Sequence, residues 1–242
     1  MGPALFLGMM SSTWSPRDLG SKLKAWWAPL EGSNYTLNGS AVASWTDEVG
    51  GYVLSQSTAA NQPAYSATGY GGRACAVFDG SNDYLALAPV PAGIPTGAAY
   101  SEAWIVGSQS ALVADTSTRF LLSIGGSSTA TRLQMVRLVS GGVNQLRAVS
   151  ANTYLSDNTA DLSGAHVMRG VFASTVRADV DGAAGPASGA ATHATGTTRL
   201  ALGIAASLAG ATWQGAVRQV VITDTLTAGE ATLLLGYLNG NL

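Results

Sequence analysis

Residues 75–87 read CAVFDGSNDYLAL, two apolar runs around a five-residue polar insert, DGSND, that carries two carboxylates. Asp and Asn side chains bond backbone amides two residues on, and Gly takes a positive φ without strain. A short loop between two strands needs that chemistry. The same atoms offer a second use, a Ca²⁺ site made from the carboxylates of Asp79 and Asp83 and the carbonyl of Asn82. Calcium takes 6–8 oxygens, and the loop supplies only part of that set. A structural turn is therefore the expected role, with calcium as the alternative and no other cofactor implied.

The pattern of short apolar runs parted by Gly, Ser, Asn, Asp or Pro extends along the chain. Examples are VASWT (42–46), EAWIVGSQ (102–109), RFLLSIG (119–125), RLQMVRLV (132–139), HVMRGVFA (166–173) and AVRQVVIT (216–223). Alternation is clearest in 175–181, where Val176, Ala178 and Val180 oppose Arg177, Asp179 and Asp181, and in Leu200, Leu202 and Ile204. Period two over short runs with regular turn signals marks half-buried antiparallel strands. About a dozen of them predict an all-β domain, a two-sheet sandwich or a barrel.

One segment breaks the pattern. In TAGEATLLLGYLNG (227–240), Thr227 and Glu230 form a capping box. Ala231, Leu234, Leu235 and Leu238 follow at helical spacing, and Gly240 stands near the stop. One C-terminal helix is expected, its apolar face on the sandwich, with a further helical turn around Pro16–Leu23. Residues 187–198 read as a surface loop. The organisation is an N-terminal arm, residues 1–15, and a sandwich domain, residues 16–242.

Only 11% of the 242 residues are charged, against ~25% in an average chain. Gly, Ala, Ser and Thr take their place, which points to a surface partly covered by a partner. The 12 basic residues are scattered and the net charge is −2, so nucleic acid is excluded as the main ligand. Cys75 is the single cysteine, so no intrachain disulfide forms. The apolar stretch in the arm (Ala4, Leu5, Phe6, Leu7, Met9, Met10) is too short to span a bilayer. No positive residue precedes it, so it is a poor signal peptide. No membrane partner is expected.

Candidate chemistry is sparse. One Cys and two His, His166 and His193, cannot make a four-ligand zinc site, and no Gly-x-Ser-x-Gly elbow supports a nucleophilic serine. Glycoside hydrolysis needs two carboxyl groups across a cleft. Of the four glutamates, Glu230 is taken by the capping box, Glu31 and Glu48 sit in apparent turns, and Glu102 has no acidic partner at i+2 or i+4. Asp179 and Asp181 share a face, but Asp181-Gly182 reads as a hairpin turn. No catalytic residue is assigned, and the chain is expected not to be an enzyme. Six tryptophans are present. Trp45 and Trp104 are expected in the core, and one of Trp26 and Trp27 is expected to be exposed. Trp213, Tyr154 and Tyr100, near loops, form a candidate glycan platform, with burial as the alternative fate of each.

Taken in order, KLKAWWAPLEGS, VASWTDEVGG and NQPAYSATGYGGRACAVFDGSNDYLAL resemble the opening of concanavalin A-like, laminin-G-like (LamG) domains of bacteriophage and bacterial proteins. VRADVDGAAG resembles that family's "vDG" hairpin, and LALGI with WQGAVRQVVITDTLTAGEATLLLGYL its closing strand and helix. The resemblance implies a two-sheet antiparallel jelly-roll sandwich with a binding or structural role. The family's glycosidase motif, Glu-x-Asp-x-x-Glu, is missing. A stand-alone copy resembles virion proteins of tailed phages: capsid decoration, head-fibre or tail components, assembled in the host cytoplasm. The implied partners are other virion proteins and further copies of the chain, a homo-oligomer. Anchoring would be by the arm, whose large apolar side chains each contribute ~1.5–3 kcal/mol when buried. The alternative is an adhesion module for host glycans, and less favoured is a glycan hydrolase.

Overall fold

A computed structural model describes residues 14–29, 34–94, 101–110, 117–126, 132–140, 143–150, 153–156, 162–188 and 199–240. The strands are β1 (Leu23–Trp27), β2 (Tyr35–Asn38), β3 (Ala41–Thr46), β4 (Val53–Ser55), β5 (Ala64–Tyr70), β6 (Arg73–Asp79), β7 (Leu85–Leu87), β8 (Ser101–Gly107) and β9 (Arg119–Gly125). They continue with β10 (Arg132–Ser140), β11 (Val143–Ser150), β12 (Thr153–Ser156), β13 (His166–Phe172), β14 (Val176–Val180), β15 (Ala183–Ala184), β16 (Arg199–Leu202), β17 (Ala211–Thr212) and β18 (Gln214–Asp224). The single α-helix among the described residues is α1 (Ala228–Asn239), and Pro16–Lys22 forms a 3-10 helix. No helix among them is long and apolar enough to cross a membrane.

Pairing divides the strands into two sheets. One runs β15–β14–β13–β8–β18, and β1 and β6 share the far edge of β18, with β5 beyond β6. The other runs β12–β11–β10–β9–β16–β7–β4–β3–β2. One pair, Ala41 opposite Ala64, joins the sheets along an edge. Among the described residues every pairing is antiparallel except the short β17–β9 contact. The protein is an all-β sandwich with a C-terminal helix; the alternation of apolar residues predicts a sandwich or a barrel, and the capping box at Thr227 and Glu230 the helix.

Turn chemistry sets the registers. Val180 pairs with Ala183 around Asp181-Gly182, both at positive φ (51° and 82°). Such two-residue turns match the twist of the strands they join. The DGSND insert is a turn as well. Asp79 Oδ1 accepts from the backbone N–H of Ser81 (2.7 Å) and Asn82 (3.3 Å), and Asp83 Oδ2 accepts from that of Asp79 (2.9 Å).

Two apolar layers result. Between the sheets lie Trp27, Trp45, Phe78, Ile105, Phe172 and Trp213, among others. The outer face of the first sheet carries a second layer, Trp26, Trp104, Val106, Val167 and Val221, and α1 covers it with Ala231, Leu234 and Leu238. This is why all seven residues of β8 are buried. Trp26 and Trp27 do point to opposite faces, but neither is exposed. Trp27 enters the sandwich, and Trp26 lies under the helical layer, its Nε1 donating to Gln219 Oε1 (3.1 Å).

The helix is pinned at its start. Thr227 Oγ1 accepts from the Glu230 backbone N–H, and the Glu230 carboxylate accepts from that of Thr227 (2.8 Å). Lys22 Nζ, from the 3-10 segment, donates to both Glu230 oxygens at 2.7 Å. These contacts hold the Glu230 carboxyl down at about 2, the bond to Lys22 being the largest cause.

Candidate functional site

On the outer face of the first sheet, register places Trp104 of β8, Arg169 of β13 and Asp179 of β14 in one row, each directly opposite the next. Directly opposed residues stand close enough for their side chains to interact. The Arg169 guanidinium lies 4.5 Å from the centroid of the Trp104 ring, within cation–π range. Arg169 also donates from Nε and Nη2 to Glu102 (3.1 and 2.8 Å) and from Nη1 to Asp179 Oδ2 (3.3 Å).

Each carboxylate is filled from several directions. Glu102 accepts in addition from the Trp104 indole N–H (3.1 Å) and from the backbone N–H of Leu226, which leads into α1 (3.1 Å). Asp179 accepts from Arg177 Nε (2.7 Å) and Nη2 (2.9 Å) and from the Gly185 backbone (3.2 Å). The Asp179 bonds raise the Arg177 pKa above its ordinary value. Glu102 is 1% and Asp179 3% exposed, and burial at that depth is tolerated because both are paired and hydrogen-bonded.

Beside this row the sheet and α1 enclose a cleft of about 180 Å³. Arg169, Asp179, Trp104 and Val167 form its floor, and Ala228, Ala231, Thr232 and Leu235 its helical wall. Gly182, from the β14–β15 turn, closes one end, where an added Cβ would stand 2.6 Å from Leu235 Cδ2. At the same turn His166 Nδ1 lies 2.7 Å from Asp181 Oδ2, and Asp181 Oδ1 accepts from the Val167 backbone N–H (2.8 Å). The cleft thus offers a cation, an apolar wall and one carboxylate, Asp179, already engaged.

Among solved structures the chain is similar to domain 4 of AbnA, a GH43 extracellular arabinanase from Geobacillus stearothermophilus, in complex with arabinotriose. The TM-score is 0.57 at 14% identity, covering 90% of this chain and 98% of that one. It is also similar to Trypanosoma rangeli sialidase in complex with sialic acid (TM-score 0.62, 14% identity, 92% of this chain). A third is an arabinofuranosidase complexed with arabinofuranosyl-alpha-1,2-xylobiose (TM-score 0.57, 14% identity, 82% of this chain). The fold is one that carbohydrate-active proteins carry. The chain spans about a third of the sialidase and half of the arabinofuranosidase. No protein-family model and no curated protein matches the sequence.

These neighbours correct the expectation that the chain is not an enzyme. A fold carried by a sialidase and an arabinofuranosidase does not set a chain apart from glycan-active enzymes. Glu102 has no acidic neighbour along its own strand. Strand order supplies one across the sheet, Asp179, which shares Arg169 with it.

The other candidate residues fall as follows. Trp213 is fully buried in the inter-sheet core, its Nε1 donating to the Ser108 carbonyl (3.3 Å), so it has no ring face for a sugar. Tyr100 and the arm residues Ala4, Leu5, Phe6, Leu7, Met9 and Met10 lie outside the described residues, as does the side chain of Tyr154. In the DGSND turn the Asn82 amide donates to the Ala60 carbonyl and Asn61 Oδ1 (both 3.0 Å), and the Asp79 and Asp83 oxygens named above bond the loop's own backbone. Burial, with Asp79 close by, pushes the Asp83 carboxyl up to about 6. Among the described residues no three His, Cys, Asp or Glu side chains converge as a metal site would require. The row Trp104–Arg169–Asp179 is not visible in the sequence because Trp104 lies on β8, far along the chain from the β13–β14 hairpin that carries Arg169 and Asp179.

Proposed function

We propose that this sandwich recognises glycans. The observation that carries the reading is its likeness to the arabinanase domain, over nearly the full length of both chains, since that domain's structure holds arabinotriose. A helix-walled cleft with a stacked Trp–Arg pair agrees with it, because sugars are bound by apolar surface combined with a few fixed polar groups. The test is a glycan array probed with the purified chain, followed by competition with the soluble sugar. Saturable binding to one glycan class, abolished by that sugar, is expected; an array without reproducible binding overturns the reading.

The setting we propose is the surface of a tailed-phage particle, as a decoration, head-fibre or tail component. Its support is the ordered sequence resemblance across residues 22–238 and the 11% charge content. Mass spectrometry of gradient-purified particles tests it. The chain should co-sediment at fixed stoichiometry with the shell or tail proteins; its absence from the particles refutes the placement.

A further inference from the structure

We propose that the cleft between the outer sheet face and α1 binds the carboxylate of an acidic sugar, a uronic or sialic acid unit of a glycan. The inference rests on the glycan reading above and names its site and ligand class.

The argument is a count of donors and acceptors. A carboxylate has about four lone-pair sites. Glu102 accepts four hydrogen bonds, from Arg169 twice, Trp104 and Leu226. Asp179 also accepts four, from Arg177 twice, Arg169 and Gly185. Neither has capacity left for a ligand hydroxyl. Arg169 is the reverse case. Its guanidinium has five N–H donors, and three are used. The remainder belong to a side chain that lines the cleft and is 15% exposed. The spare polar capacity of the floor is therefore donating, within a network of two guanidiniums and two carboxylates whose formal charges cancel. A ligand must bring acceptors, and a carboxylate suits a guanidinium best.

Three further features fit. Ala228, the first residue of a twelve-residue helix, lines the cleft, and a helix start carries partial positive charge. Val167, Ala231 and Leu235 offer an apolar wall for the C–H face of a sugar ring. Arg169 is also preorganised, held by Trp104, Glu102 and Asp179 before any ligand arrives.

The test uses the full chain and the methyl glycosides of glucuronic acid, N-acetylneuraminic acid and glucose, with arabinotriose as a neutral oligosaccharide. Calorimetry gives affinities, and amide and indole NMR shifts locate the site. At least one acidic glycoside should bind tenfold or more tightly than methyl glucoside, shifting the Trp104 indole and residues 228–232. Thr232 is exposed, so Thr232→Glu puts a negative charge at the mouth without touching the network. It should weaken acid binding at least tenfold, and Thr232→Lys should not. Equal affinity for acidic and neutral glycosides, or shifts confined to another face, overturns the inference whatever the variants do. Arabinotriose bound elsewhere, with no acid bound at the cleft, overturns it and leaves the glycan reading intact. Binding of no sugar, here or on the array, ends both.

Discussion

Glu102→Ala is the sharpest perturbation of the outer-face network. Glu102 is 1% exposed and accepts four hydrogen bonds. Its removal leaves the Trp104 indole N–H and the Leu226 amide buried without an acceptor, at ~1–3 kcal/mol each. Arg169 loses one of its two carboxylates but keeps Asp179 and its partial exposure, so the charge itself costs less than a fully buried orphan. The sum is about 3–5 kcal/mol, the range for breaking a buried pair. For a domain of this length each kcal/mol lowers Tm by ~2–4 °C, so a fall of roughly 6–20 °C is expected. Urea unfolding followed by far-UV circular dichroism and tryptophan fluorescence gives the free energy directly. Because Leu226 N–H ties the entry of α1 to β8, the helical signal and the Trp104 environment should change together. A loss under about 0.5 kcal/mol, the level of an ordinary surface substitution, would refute the reasoning.

Trp213→Ala should cost ~3–5 kcal/mol as a core truncation, and chemical denaturation should show this with or without sugar present; a fully stable variant that had lost only glycan binding would return Trp213 to the surface. Asp83 carries a raised folded-state pKa, so the folded chain binds its proton more tightly than the unfolded chain does. Its charged form is penalised fully above about pH 6 and not at all below about pH 4, so stability should rise by at most ~3 kcal/mol as pH falls through that window. Asp83→Asn should flatten that slope in urea midpoints taken at several pH values; equal slopes would contradict the assignment. Glu230 has the opposite sign, its folded-state pKa lying well below the ordinary value. Its contribution is present above about pH 4.5 and fades toward pH 2, and Glu230→Gln should remove that acid sensitivity, read from the helical dichroism during an acid titration.

Much of the fold was legible in short-range chemistry. The runs 119–125 and 132–139 are β9 and β10 to within a residue at either end, because alternation and turn residues are local signals. The Thr227–Glu230 box is present as predicted, and the helix it opens ends at Asn239. The strands β2 and β5 give no such signal because their sequences, YTLN and AYSATGY, are short or polar and lie largely exposed. Period two also says that a strand has two faces, not whether something covers the second. Yet EAWIVG and AVRQVVI have few polar interruptions, a pattern of strands buried on both sides, and that signal could have placed Trp104 beneath a covering layer. The row Trp104–Arg169–Asp179 needed strand order, which composition does not encode: β8, β13 and β14 are neighbours in space with long stretches of chain between β8 and β13.

The most direct test of the account is a crystal structure of the chain soaked with the sugar that the array selects. The account predicts an acidic ring between β13 and α1, its carboxylate on Arg169 and its apolar face against Val167, Ala231 and Leu235. A sugar bound on the opposite sheet or at the sandwich rim, with the cleft holding only water, would contradict it.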